Sequence, residues 1–129
     1  MRRVFLFAIL LALGACVGSS PGPEGDWRVV ELDGTEIEAA DGVTLTLDDG
    51  QASGRAGCNR FAGSYAVDPG FAFGPLALTR MACFGRAAEL ETLFTTVSGQ
   101  IDGFQRDGDA LEAHCGQPGW CCGASLPPR

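Results

Sequence analysis

The sequence predicts an α+β fold: a small single domain in which a curved, mostly antiparallel, barrel-like β-sheet is packed by one α-helix, after an N-terminal signal peptide. Three observations lead there. Residues 43 to 49, VTLTLDD, alternate cleanly, with Val43, Leu45 and Leu47 on one face and threonines on the other. Asp-Gly pairs at 33–34, 41–42 and 107–108 punctuate extended runs in the manner of hairpins. A single segment of the mature chain carries a helical stripe, with Leu90, Leu93, Phe94, Val97 and Ile101 spaced i, i+3, i+4, i+7 and i+11.

Each element follows from local chemistry. DWRVVEL (26–32) is a strand bounded by Gly25 and the Asp33-Gly34 turn, with TEIEAA (35–40) as its return. QASGRAG (51–57) pairs back on 43–49. GSYAVD (63–68) and FAFGPLALT (71–79) read as further strands, Pro75 bending the second or holding it at an edge. The helix is expected over about 86 to 98, with Glu89 and Glu91 placed to suit the positive end of its dipole. GFQRDGDALEAHC (103–115) reads as a closing hairpin. The apolar residues of these patterns are expected in the core.

The N-terminus has a different logic. Arg2 and Arg3 precede a ten-residue apolar run, Val4 to Leu13, which fits a signal peptide and is too short for a spanning helix. Leu13-Gly14-Ala15-Cys16 resembles the bacterial lipobox, in which the cysteine thiol takes a diacylglycerol and the leader is cut just before it. The expected division is therefore a signal peptide over 1–15, a Gly/Ser/Pro-rich tether over 16–25, a domain over 26–115 and a Cys-rich tail over 116–129. Several acyl chains on Cys16 would anchor the protein stably. Val17, rather than an aspartate, after the cysteine suggests the outer membrane, facing the periplasm.

Charge narrows the partners. The chain has no lysine, and loss of Arg2 and Arg3 leaves seven basic against 16 acidic residues, a net charge of −9. An acidic domain of this kind is a poor binder of nucleic acid or of anionic headgroups, so membrane contact is expected through the lipid alone. The expected state is a monomer that meets an unidentified envelope protein or peptide. No cofactor is expected.

Five cysteines remain after Cys16. Cys58 and Cys83 lie 25 residues apart in short segments between predicted elements. We favour a disulfide, worth about 3.5 kcal/mol in the chain-entropy account; a reactive thiol and a metal ligand are the alternatives. In the tail, His114, Cys115, Cys121 and Cys122 lack Cys-x-x-Cys spacing, so the zinc signal is weak. A second disulfide, Cys115 with Cys121 or Cys122, is the favoured reading, against a Cu(I) or Zn(II) site or unpaired thiols.

Taken in order, GCNRFAGSY (57–65), LALTRMAC (76–83), ELETLF (89–94) and DGDALEA (107–113) resemble the META domain, or HslJ-like, family of small bacterial envelope proteins. The resemblance spans about residues 26 to 115. It implies antiparallel strands wrapped around a helix and supports a Cys58–Cys83 disulfide. Its motif positions fall on Gly57, Asn59, Phe61, Gly63, Tyr65, Thr79 and Met81. Gly57 and Gly63 are expected to permit a sharp backbone path, Asn59 to cap backbone groups in a turn, and Phe61 and Tyr65 to enter the core. Arg60 and Arg80 hold corresponding places in the two blocks, either pairing with acidic neighbours, the favoured reading, or forming a small anion-binding spot. The family implies no agreed reaction; its members are associated with the envelope, heat shock and antibiotic tolerance. No nucleophile elbow, phosphate loop or paired catalytic carboxylates stand in the sequence. The expectation is a non-enzymatic, membrane-anchored lipoprotein with a binding or stabilising role. The alternative is a redox-active or copper- or zinc-handling protein that uses the Cys-rich tail.

Overall fold

The computed structural model describes residues 21–116 and 120–126. The signal peptide, Cys16 and the first residues of the tether fall outside them. The elements run β1 (Gly25–Leu32), β2 (Thr35–Glu36), a 3-10 turn (Ala39–Asp41), β3 (Val43–Asp48), β4 (Gln51–Ala56), β5 (Arg60–Ala66), β6 (Ala72–Phe73), β7 (Ala77–Leu78), α1 (Gly85–Ser98), β8 (Gly103–Asp107), β9 (Ala110–His114) and β10 (Trp120–Ser125).

The strands form one antiparallel sheet in the order β6-β5-β4-β3-β1-β10-β9-β8, with β2 beside β1 and β7 beside β5. It is a nearly closed barrel. Its two outer strands meet through aromatic rings: Phe71, just before β6, lies 5.3 Å from Phe73 of β6 and 5.2 Å from Phe104 of β8, centroid to centroid. Alternation decides what fills the barrel. Trp27 and Val29 of β1, Val43, Leu45 and Leu47 of β3, and Phe61 and Tyr65 of β5 are all buried. Helix α1 adds Leu90, Phe94 and Val97, with Ile101 just beyond it, and the Phe94 ring lies 4.7 Å from that of Phe61.

Three expectations change. The return of β1 is shorter than expected: β2 is two residues long, and the 3-10 turn replaces its second half. The tether does not reach 25. Trp27 Nε1 donates to the Pro23 carbonyl at 2.7 Å, and Arg106 Nη1 donates to the carbonyls of Gly22 and Glu24 while its guanidinium sits 4.9 Å from the Trp27 ring centre. Residues 22–25 thus belong to the domain. The tail is not an appendage either. Strand β10 lies between β1 and β9 and supplies the link that joins the β8–β9 hairpin to the rest of the sheet.

Candidate functional site

The motif residues meet at one end of the barrel, where the β4–β5 turn, the segment 79–84 and the start of α1 come together. Gly57 has φ of +102°, and a Cβ there would lie 3.1 Å from the Ala87 carbonyl oxygen and 3.3 Å from Leu90 Cβ. Its role is the sharp turn and close approach to the helix. Gly63 differs from expectation. It sits within β5, and a Cβ would come within 2.6 Å of the Pro75 carbonyl oxygen and 2.8 Å of Leu76 Cδ2. It is a contact glycine, serving the close crossing of the 75–76 segment rather than a bent path.

Asn59 is the hub. It is 4% exposed and buried among donors and acceptors that it satisfies almost completely. Its Oδ1 accepts from Met81 N at 2.8 Å and from the Thr79 hydroxyl at 3.0 Å. Its Nδ2 donates to Met81 O at 3.3 Å, Cys83 Sγ at 3.3 Å and Glu91 Oε2 at 3.2 Å. Its own backbone N–H donates to Glu91 Oε1 at 2.8 Å. Thr79 completes the seam: its N–H donates to Arg60 O at 2.9 Å, and its hydroxyl accepts from Arg60 N at 3.0 Å. Asn59 therefore does more than cap a turn; it fastens three chain segments. The Cys58–Cys83 disulfide, with Cα atoms 6.1 Å apart, fastens the same two loops covalently.

Glu91 plays a different part from the one its place near the helix start predicts. Helix α1 starts at Gly85, so no acidic residue falls in its first turn. Glu91 instead turns inward to Asn59, while Arg86, in the first turn, pairs with Asp41 at 2.7 Å across the barrel end. The only sequence signal for Glu91 was its membership of the ELETLF block.

The tail cysteines separate. Cys115 is bonded to Cys121, with Cα atoms 5.8 Å apart. Cys122 is free and buried in β10, where burial and the nearby Glu31 push its thiol up to about 12. Among the described residues, no three His, Cys, Asp or Glu side chains converge as a metal-binding set.

The outer side of the seam is exposed. Met81 is 58% exposed and Phe84 83%, two of the three exposed large apolar side chains among the described residues. A cleft of about 530 Å³ runs between residues 76–81 and the helix, bordered by Asn59, Arg80 and Glu91. A second depression, of about 390 Å³, is lined by Arg55, Cys58, Arg60, Thr79 and Met81. The favoured pairing of Arg60 and Arg80 with acidic neighbours does not form: among the described residues the one ion pair is Arg86–Asp41.

These features agree with the comparisons. A family model described as META domain matches residues 22–118. The NMR structure of a protein from Burkholderia xenovorans is similar, with 28% identity, a TM-score of 0.62, and 87% of this chain and 94% of that chain covered. A second NMR structure shares the fold at 18% identity and a TM-score of 0.61, over 78% of this chain and 87% of the other. No curated protein matches.

Proposed function

The chain belongs to the META domain family, and from that premise we propose that it is a non-enzymatic binding or stabilising module, tethered by lipid on Cys16 in a bacterial envelope. The observation that carries the reading is the pair of disulfides, Cys58–Cys83 and Cys115–Cys121, in a domain this small. Such bridges persist in oxidising compartments beyond the cytoplasmic membrane. The lipobox-like LGAC ahead of the domain supplies the matching anchor. The non-enzymatic part rests on how the motif is used. The polar groups of Asn59 and Thr79 are engaged with one another and with backbone, a scaffold's arrangement. The family resemblance links such a module to envelope stress and antibiotic tolerance, and Val17 favours the periplasmic face of the outer membrane.

The alternative of a redox or metal-handling tail loses support from Cys122, whose buried thiol is held protonated, and from Cys121, which is buried within the sheet. The test of the anchor is metabolic labelling with palmitate in the native host. Label on the wild type that is lost in Cys16→Ser is expected; an unlabelled wild type, released in soluble form, refutes the anchored reading.

A further inference from the structure

Strand register places three arginines in one row. Arg28 of β1 opposes Thr44 of β3, Thr44 opposes Arg55 of β4, and Arg55 opposes Arg60 of β5. Beyond Arg28 the row continues through Ser125 of β10 and Ala110 of β9 to Asp107 of β8, and at its other end it reaches Thr79, bonded to Arg60. Directly opposed residues of antiparallel strands share a face. That face is the outer one, because the flanking Trp27, Val29, Val43, Leu45, Ala56 and Phe61 are buried. Between Ser125 and Thr79 the row therefore holds guanidinium and hydroxyl groups, and its one carboxylate, Asp107, lies three strands beyond Arg28.

Such a row is costly to keep. Arg55 and Arg60 oppose each other as like charges, which disfavours the pairing. None of the three forms an ion pair among the described residues. Arg28 Nε is the one buried side-chain nitrogen or oxygen there without a hydrogen-bond partner, so it has donor capacity left for a group outside the domain. The nearest carboxylate along β1, Asp26, is occupied by the Thr46 hydroxyl at 2.8 Å. In a chain of net charge −9 without its leader, three unpaired cations in register stand out against the field.

We propose that this row is a docking site for an extended acidic segment of another envelope protein, a reading that rests on the binding role above and names its partner. Three inter-strand spacings put Arg28 and Arg60 about 14 Å apart. An extended peptide places side chains i and i+4 about 13–14 Å apart, so carboxylates at i, i+2 and i+4 span the row. Arginine suits carboxylates because its planar fork binds them in pairs. Exposed Met81 shares the depression of Arg55 and Arg60 and offers an apolar contact to an intervening side chain. Arginine and methionine are enriched at such interfaces. The anchoring membrane is not the favoured source of the anion. Strand β1 begins at Gly25, opposite Leu47, whereas the row lies opposite Thr44, about 10 Å further along β1 and away from the tether.

The test uses the full-length lipidated protein in neutral detergent micelles and a fluorescein-labelled hexapeptide of alternating glutamate and valine, read by anisotropy. Binding that weakens with salt is expected, with a loss of about tenfold or more in Arg55→Glu/Arg60→Glu. The same variant is expected to gain affinity for the lysine–valine counterpart, which shows that it is folded and that charge, not shape, was changed. Gln105→Ala on β8 is expected to bind like the wild type. Equal affinity in wild type and charge-reversed variant overturns the proposal, as does absence of binding. Displacement of the peptide by inorganic phosphate or by anionic phospholipid vesicles at equal affinity also overturns it, assigning the row to a small anion or a membrane. Failure of palmitate labelling would overturn the anchored reading while leaving this binding result intact.

Discussion

Removing the Asn59 side chain tests whether the motif is a fastening. In Asn59→Ala the backbone bond to Glu91 survives, but the N–H and C=O of Met81 lose their partners at 2.8 and 3.3 Å, and Glu91 Oε2 and the Thr79 hydroxyl lose theirs. The last two lie near enough to solvent to take water. The Met81 backbone groups are held in their segment by the disulfide two residues on, so they cannot move to new protein partners. Losing these two bonds at about 1–1.5 kcal/mol each gives a loss of about 2–3 kcal/mol. For a domain of this size that lowers Tm by about 8 °C or more. The assay is urea and thermal unfolding of the oxidised protein, wild type against variant. Asn59→Asp is expected to be worse than alanine at neutral pH, because it removes the donors to Met81 O and sets a second carboxylate against Glu91. That excess should shrink on acidification, as protonation of either carboxyl relieves the repulsion. A loss below about 0.5 kcal/mol in Asn59→Ala would refute the reasoning, and place the stability of this end in the disulfide and apolar packing alone.

Further outcomes are expected on the same footing. In the chain-entropy account the pair Cys58→Ser/Cys83→Ser costs about 3.5 kcal/mol and Cys115→Ser/Cys121→Ser about 2.2 kcal/mol, following their separations of 25 and 6 residues; unfolding of the two double variants checks the order. Cys122 should resist iodoacetamide in the native protein at mildly alkaline pH and react at once in denaturant, since burial holds its thiol near 12. The Arg86 guanidinium, hydrogen-bonded to Asp41, holds that carboxyl down at about 2 against an ordinary 3.8. A carboxylate lowered on folding stabilises above its unfolded value, so this contribution is complete above about 3.8 and disappears as pH falls toward 2. Asp41→Asn should flatten that part of the stability–pH curve, which acid titration of the melting temperature measures. Gly63→Ala should destabilise more than an ordinary strand substitution, because its Cβ would press on the Pro75 carbonyl oxygen, a backbone atom; a neutral result would show that the 75–76 segment yields freely.

Elements with a local period were legible in the chain. The alternation of 43–49 produced β3, the Asp-Gly turn at 107–108 produced the β8–β9 hairpin, and the stripe from Leu90 to Ile101 produced the buried side of α1. Where the period was missing, the reading failed. WCCGAS has no alternation of apolar and polar residues, and its place between β1 and β9 comes from hydrogen bonding to strands far away in sequence. The start of the domain lies earlier for a related reason: Gly22 to Glu24 look like linker, and are fixed by Trp27 and by two distant residues, Tyr65, whose hydroxyl donates to Glu24 Oε1, and Arg106, more than 80 residues away.

The sequence by itself determined the α+β class, the single helix and the order of the hairpins, because these follow from spacing along the chain and from turn chemistry, while the block of residues at the barrel end was marked by the family resemblance. The tertiary structure decided what those residues do for one another. It turned Glu91 from a helix-end charge into the partner of Asn59, split the tail cysteines into a bridge and a buried thiol, and aligned Arg28, Arg55 and Arg60 across four strands. Each depends on register between segments that do not adjoin in sequence. A shift of one residue in any pairing would send the side chain to the opposite face, so composition and periodicity leave the row, the seam and the bridge undetermined until the strands are paired.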